Sequence, residues 1–76
     1  MEFLIRLRSV RDVNEFVQLA TPVHRVIVTD GIHTVDGKEF MEIFCLRLST
    51  PLTVRVECSQ EEYDRFYQKC QSFLVK

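Results

Sequence analysis

The sequence lacks long apolar runs, contains no tryptophan, and has only two glycines and two prolines. A membrane-spanning helix needs about 20 consecutive apolar residues, and no run in the chain approaches this length. The first residues, Met-Glu-Phe-Leu-Ile-Arg, do not have the layout of a secretory signal. Internal repeats, low-complexity segments and linkers are absent too. We therefore expect a cytoplasmic protein without a membrane partner, folded as a single domain over residues 1–76.

Charge and cysteine content narrow the class further. Ten basic and eleven acidic residues leave a formal net charge of -1, so no overall field draws the chain to nucleic acid. The cysteines Cys45, Cys58 and Cys70 are odd in number and show no Cys-x-x-Cys spacing. Neither a disulfide framework nor a zinc site is indicated. We expect all three to be small buried apolar residues, and we expect no metal, no cofactor and no nucleic-acid partner.

Motifs that carry catalysis are missing as well. The sequence has no glycine-rich phosphate loop, no Ser-His-Asp order and no clustered metal ligands. A cysteine nucleophile would need a neighbouring base, and the sequence nominates none. We therefore expect a protein that is not an enzyme.

What the chain does contain is a series of short periodic segments. Apolar residues alternate from Phe3 to Leu7, which predicts a strand with one side on a core. Ser9 followed by Asp12 is typical of a helix cap, and the helical spacing that follows predicts a helix over residues 9 to 21. The predicted apolar stripe of this helix consists of Val10, Val13, Phe16, Val17 and Ala20.

The middle of the chain predicts a hairpin and a short helix. Residues 25 to 29 are rich in β-branched side chains, and Asp30-Gly31 is a hairpin signal before a short strand from Ile32 to Val35. Apolar residues from Phe40 to about Leu48 then form two overlapping helical stripes. One stripe consists of Phe40, Ile43 and Phe44, and the other of Met41, Cys45 and Leu48.

The last third of the chain predicts one more strand and one more helix. Residues alternate cleanly from Leu52 to Glu57. Ser59 to Glu62 reads as a capping box, and an apolar stripe from Tyr63 to Leu74 continues to the C-terminus. The element order β-α-β-β-α-β-α predicts an α+β domain, a four-stranded antiparallel sheet with helices packed on one face.

One segment resembles a known family. From Val35 to Leu46 the chain reads Val-Asp-Gly-Lys-Glu-Phe-Met-Glu-Ile-Phe-Cys-Leu, which is similar to the Val-x-x-Lys-Ser-Ile-Met-x-x-x-x-Leu of the HPr family, the phosphocarriers of the bacterial phosphotransferase system. Residues Phe16 to Ala20 also fit the body of that family's first helix. The resemblance spans nearly the whole chain and implies an HPr-like open-faced β-sandwich. A ferredoxin-like βαββαβ domain is the alternative fold, and the terminal helix favours HPr.

The departures from the family decide the functional expectation. HPr opens its first helix with Gly-x-His-Ala-Arg-Pro-Ala, and the resemblance places Ser9 where the phosphorylated histidine would stand and Arg11 where the arginine would stand. The family's regulatory serine is replaced by Glu39. Plain alternatives exist, because Ser9 suits a helix cap, Arg11 a solvated side chain, and Glu39 a favourable first helical turn.

The resemblance also implies a docking face for protein partners. In the HPr family this face is formed by the start of the first helix and by the second helix, where Phe40, Met41 and Phe44 stand here. We expect a non-enzymatic binding or regulatory module whose partner is a phosphotransferase-system or regulatory protein. One alternative is phosphotransfer through a relocated acceptor, at His24, His33 or Ser9. Another is a homo-oligomer that buries the Phe40 to Phe44 patch.

Overall fold

Residues 1–75 fold into four strands and three helices. The structure, a computed structural model, describes residues 1–75. The order of elements along the chain is the predicted one, and a 3-10 turn follows the last helix. The strands are β1 (Glu2–Ile5), β2 (Arg25–Thr29), β3 (Thr34–Asp36) and β4 (Leu52–Glu57), the helices are α1 (Val10–Ala20), α2 (Phe40–Ile43) and α3 (Gln60–Lys69), and the 3-10 turn is Gln71–Phe73.

The strands form one antiparallel sheet in the order β1-β4-β2-β3. Strand β4 is central and pairs with β1 on one side, with Ile5 opposite Leu52, and with β2 on the other, with Val26 opposite Val56. The short β3 lies at one edge, beside β2. At the opposite edge the C-terminal segment lies along β1, since Arg6 N–H donates to the Phe73 carbonyl at 2.8 Å and Val75 N–H donates to the Leu4 carbonyl at 3.2 Å.

One face of the sheet carries the core. Alternate residues of β2 and β4 are almost fully buried, while the residues between them are exposed or half-buried, because successive side chains of a strand point to opposite faces. The helices contribute their buried side chains to the same cluster and therefore pack on that face. The fold class is thus confirmed as α+β with a four-stranded antiparallel sheet. The principal contributors are Ile5, Val13, Phe16, Val26, Val28, Ile43, Leu52, Val54, Val56 and Phe66.

Helix α1 matches the helix predicted over residues 9 to 21, because the first and last of those residues are its caps. Ser9 is the N-cap residue, and Thr21, the C-cap residue, donates from its hydroxyl to the Val17 carbonyl at 2.7 Å. One member of the predicted apolar stripe was wrong, because Val10 is 64% exposed. It lies in the first turn of the helix, beside a surface groove and not over the core.

The β2–β3 connection is longer than the predicted two-residue hairpin turn. Strand β3 begins at Thr34, and Ile32 is 70% exposed, so the predicted start at Ile32 was wrong. The physical reason is Asp30, whose carboxylate accepts hydrogen bonds from the N–H groups of Ile32 and His33 at 2.8 and 2.7 Å. Because of these bonds, Ile32 and His33 belong to the turn and not to the strand. Gly31 adopts the left-handed conformation there, with φ at 95°.

Helix α2 is shorter than predicted and ends at Ile43 instead of near Leu48. The chain then turns so that Leu46 enters the core, and Arg47 N–H donates to the Asp30 carboxylate at 3.0 Å. A continued helix would direct that N–H to the carbonyl four residues earlier. The bond to Asp30 is therefore incompatible with helix at this point.

Helix α3 also stops before the predicted C-terminal end. The Ser59 hydroxyl accepts from Glu62 N–H at 3.2 Å, as a capping box requires, but the Glu62 carboxylate accepts instead from His24 N–H at 3.4 Å. The helix ends at Lys69, and a 3-10 turn then buries Phe73 against the core. The turn redirects the chain so that its last described residues run beside β1.

Candidate functional site

The start of α1 is built around Ser9. The Ser9 hydroxyl accepts a hydrogen bond from Asp12 N–H at 3.1 Å, and the Asp12 carboxylate accepts from Arg8 N–H at 2.9 Å. The first bond satisfies one of the backbone donors that a helix start leaves without an intrahelical partner, and the second ties the residue before the cap to the first turn. Ser9 therefore has a structural task as a cap, while its side of the helix remains exposed.

Arg11 extends into solvent from the first turn of α1. Its side chain is 87% exposed, and its Nε lies 3.2 Å from a carboxylate oxygen of Glu15, one turn further along the helix. Exposed pairs at this spacing stabilise a helix by about 0.3–0.5 kcal/mol. Of the residues that line the groove described below, Ser9 is one and Arg11 is not. Ser9 and Arg11 therefore lie in different surroundings. Ser9 lines the groove, whereas Arg11 extends into solvent and contacts Glu15.

Helix α2 presents two apolar side chains to solvent. Met41 is 74% exposed and Phe44 is 38% exposed, while Ile43 between them is fully buried. Phe40 is half-buried and meets the Phe44 ring edge-on, with ring centroids 5.1 Å apart. Only one side of a single helical turn faces the core, so Met41 and Phe44 are left outside it. Glu39 precedes the helix as its N-cap residue, is exposed, and makes no capping hydrogen bond with its side chain.

A groove of about 390 Å³ joins the starts of these two regions. Ser9 and Val10, from the start of α1, line it together with Phe44 and Leu48. Exposed apolar side chains from α1 and from the α2 region thus meet across one surface depression. The structure brings together Ser9 and Phe44, two of the sequence-predicted site residues, and adds Val10, whose exposure the helical periodicity did not predict.

Asp30 binds the backbone of Arg47, in the segment that carries the groove residues Phe44 and Leu48. The sequence did not predict this role. The Asp30 side chain is only 3% exposed. Hydrogen bonds from the backbone N–H groups of His33, Arg47 and Ile32 hold its pKa well below the ordinary carboxyl value. Because Arg47 lies between Phe44 and Leu48, the Asp30 carboxylate ties the β2–β3 turn to the segment that carries the groove residues. The Asp30-Gly31 pair signalled a turn, but nothing local signalled the bond to Arg47.

The two histidines lie away from this groove. His33 is in the β2–β3 turn with a 67% exposed side chain, and its Nδ1 is 3.9 Å from an Asp30 carboxylate oxygen. His24 precedes β2, is exposed, and lines a separate depression of about 310 Å³ together with Lys38 and Glu42. The Lys38 ammonium donates to the His24 carbonyl at 3.2 Å. Neither imidazole lies at a helix N-terminus, and neither lines the groove beside Ser9.

The cysteines differ sharply in environment, and the prediction that all three are buried was wrong. Cys70 is buried, and desolvation raises the pKa of its thiol to about 12. Cys58 is half-buried, and desolvation, followed by the nearby Glu62 carboxylate, raises the pKa of its thiol. Cys45 is exposed, because α2 ends early and leaves it on the surface turn.

Residues 1–75 contain neither a cluster of metal ligands nor a helix of membrane-spanning length. No three His, Cys, Asp or Glu side chains of this part of the chain are grouped so that they would hold a metal ion. None of the helices described is long and apolar enough to traverse a bilayer.

The fold and the groove define the class of protein as a small α+β domain with an open four-stranded antiparallel sheet and an exposed apolar surface between α1 and α2. No protein-family model, no curated protein and no solved structure matches the chain.

Proposed function

We propose that the chain is a divergent HPr-like protein that has lost the phosphorylated histidine and acts as a non-enzymatic protein-binding or regulatory module. The observation that carries the proposal is the exposure of Met41 and Phe44 on and after α2, with Phe44 lining the same groove as Ser9, the capping serine that the resemblance places at the acceptor position. These exposed apolar side chains would serve as a docking surface, and a serine stands where the resemblance leads us to expect the nucleophile.

The strand order supports an HPr-like fold over the ferredoxin-like alternative. The two folds share the order of their first six elements and differ in how the strands pair. In a ferredoxin-like domain the first and third strands are neighbours at the centre of the sheet. Here β1 and β3 lie at opposite edges, and β4 and β2 are central. This order, together with α3 after β4, favours the open-faced HPr-like arrangement.

The chemistry of Ser9 argues against a phosphocarrier. An imidazole nitrogen is a good nucleophile near neutral pH and forms a phosphoramidate that readily passes its phosphoryl group to a second protein. A serine forms a phosphate ester, which would retain the group. Phosphorylation of Ser9 would also disturb the hydrogen bond that its hydroxyl accepts from Asp12 N–H. A serine at this place is therefore suited to capping and unsuited to relay.

Glu39 supports a permanently charged docking face. Its carboxylate is exposed and free of a capping bond at the start of α2, so it is available to a partner. A carboxylate supplies one negative charge, where a phosphoserine supplies about -1.5 to -2. We infer that Glu39 reproduces in part the regulated, phosphorylated form of the family. The remaining docking residues are Arg11, Phe40, Met41 and Phe44.

Amide NMR of the labelled chain, titrated with purified phosphotransferase-system proteins, tests the docking face. Resonances of Val10, Met41 and Phe44 are expected to shift when a partner binds. Met41→Ser and Phe44→Ser should each weaken binding about tenfold or more, since exposed apolar anchors dominate such contacts. Ile32→Ser is the matched control, because Ile32 is 70% exposed against 74% for Met41 but lies in the β2–β3 turn.

The proposal fails if the shifts map to another face, or if Ile32→Ser weakens binding as much as Met41→Ser. It fails also if none of the phosphotransferase-system proteins shifts any resonance of the α2 region. Sedimentation of the free chain separates the homo-oligomer alternative, because self-association through Met41 and Phe44 would give a dimer that Met41→Ser dissociates.

A further inference from the structure

Two arginines beside the proposed docking face form no ion pair with any carboxylate of the residues that the structure describes. Within residues 1–75 the arginine–carboxylate ion pairs are Arg11–Glu15, Arg25–Glu57 and Arg55–Glu2. Arg6 and Arg8, just after β1, take part in none of them, and both are exposed. The Arg6 guanidinium donates to the Ser49 carbonyl at 3.1 Å. That single bond leaves most of its donors free, because a guanidinium has five N–H groups.

These arginines stand between two surface depressions. One is the groove of about 390 Å³ that ends at Phe44 and Leu48. The other, of about 360 Å³, lies beside the C-terminal segment and is lined also by Gln71, Ser72 and Leu74. Both depressions are lined by Arg6 and Arg8, and among residues 1–75 no acidic residue lines either one. We name Arg6 and Arg8 the arginine ridge.

Asp12, in the first turn of α1, forms no ion pair with the arginine ridge. Asp12 accepts hydrogen bonds at the helix start, from Arg8 N–H at 2.9 Å, and its own N–H is bound by Ser9. Its contact is thus with the Arg8 backbone and not with the guanidinium. The ridge is a local concentration of positive charge in a chain whose net charge is -1.

We propose that the arginine ridge binds an acidic peptide segment of a partner protein, with an apolar side chain of that segment seated between Phe44 and Leu48. This inference rests on the proposed function, whose docking face it supplies with a partner chemistry. Guanidinium groups bind carboxylates through two parallel hydrogen bonds, and the two unpaired arginines supply the complementary charge. The adjoining apolar groove supplies the anchor.

A peptide fits these observations better than a nucleic acid. Nucleic-acid sites track the phosphate backbone with an extended row of cations and interleave aromatic side chains for stacking. The ridge has two arginines, and the aromatic side chain beside it, Phe44, meets the ring of Phe40 edge-on. An acidic segment of a few residues matches the length of this surface.

Selection of a phage-displayed random dodecapeptide library on the full chain tests the inference without a known partner. Sequences that carry Asp or Glu close to an apolar residue should be enriched on the wild type and not on Arg6→Glu/Arg8→Glu. The matched control is Arg65→Glu/Lys69→Glu, which changes the net charge equally on the exposed side of α3. This control variant should select the same peptides as the wild type.

A synthetic copy of an enriched peptide then measures the electrostatic part of the binding. Replacing its carboxylates by amides should weaken affinity about tenfold or more, and added salt should weaken it further, because exposed charge pairs are screened. Arg6→Gln/Arg8→Gln should give the same loss for the carboxylate peptide and leave the amide peptide unchanged.

Three results would overturn the arginine ridge as a peptide site. Neutral apolar peptides that bind the wild type and the ridge variant equally, but not Met41→Ser, would leave the docking face standing and remove the acidic partner. Failure to enrich any sequence would remove the site itself. An oligothymidylate that binds through Arg6 and Arg8 as tightly as the acidic peptide would assign the ridge to polyanions.

Discussion

Asp30 is the residue on which the local structure around the groove depends most. Its carboxylate accepts from three backbone N–H groups, those of His33, Arg47 and Ile32, in two different loops. A carboxylate that accepts several such bonds is stabilised in its charged form. The negative charge of Asp30 is therefore part of the folded structure.

The negative charge of Asp30 makes the free energy of unfolding depend on pH. The pKa of Asp30 is lowered in the folded chain from its ordinary value of 3.8, so its contribution is fully present above that value and is lost as the pH falls below it. Asp30→Asn should lower the urea midpoint of unfolding at neutral pH. The difference from wild type should shrink as the pH is lowered. Asp64→Asn, at an exposed aspartate that accepts from the Gln60 side chain, is the control.

A constant difference between wild type and Asp30→Asn at every pH would contradict this role for the charge. So would an equal effect of Asp64→Asn.

The cysteines give a second prediction for single residues. Cys45 should react first with iodoacetamide, because it is exposed, while Cys70 should remain unmodified until the chain unfolds, because it is buried and its thiol has a pKa of about 12. Mass spectrometry of digested samples follows the order. Cys70 labelled as fast as Cys45 would show that the core around Phe66 and Cys70 opens readily.

Among the secondary structure elements, the contact between Gly37 and β2 decides how β3 leads into α2. Gly37 N–H donates to the Val26 carbonyl at 2.8 Å. A Cβ at this position would lie 2.6 Å from Val26 Cγ1. The chain thus passes so close to β2 that only a residue without a side chain fits.

Gly37→Ala should accordingly destabilise the fold by about 1–3 kcal/mol, the usual cost of overpacking. Val26→Ala removes the clashing methyl groups, so the double variant should lose less than the sum of the two single losses. Urea unfolding of all four proteins measures this coupling. Strictly additive losses would contradict the contact.

Most helices and strands could be predicted from the spacing of apolar residues and from helix-capping residues. Strand β4 and helix α3 combine a clear repeat with a clear start, and Ser9 and Ser59 cap their helices as expected. The start of β3 and the end of α2 could not be predicted in this way. Both are set by Asp30, which joins residues 17 apart in sequence through its bond to Arg47. Local spacing carries no information about such a bond.

The candidate site was predictable only in part. The spacing of apolar residues predicted a second helix that carries Phe40, Met41 and Phe44. It did not predict which of these side chains lie outside the core. That division depends on the helix ending after one turn. The grouping of Phe44 with Val10 and the arginine ridge depends on how α1 and α2 meet, which no single segment encodes.

At the scale of the whole molecule, the proposed docking residues should be separable from the core by the effect of their substitution on stability. Ile43→Ala should cost about 2–5 kcal/mol, as expected for a buried side chain, whereas Met41→Ala should change stability by less than about 0.5 kcal/mol. Phe44→Ala should fall between them, because its ring also contacts Phe40. Equal losses at Ile43 and Met41 would place Met41 in the core and remove it from the docking face.

We propose that the domain keeps the docking surface of a phosphocarrier but lacks its phosphate acceptor. Incubation of the full chain with phosphoenolpyruvate and the phosphotransferase donor enzyme, followed by intact mass before and after mild acid, tests it most directly. An authentic HPr in the same reaction is the positive control. The account predicts no gain in mass. An acid-labile gain of one phosphoryl group would contradict it, since a histidine at His24 or His33 would then carry the phosphate.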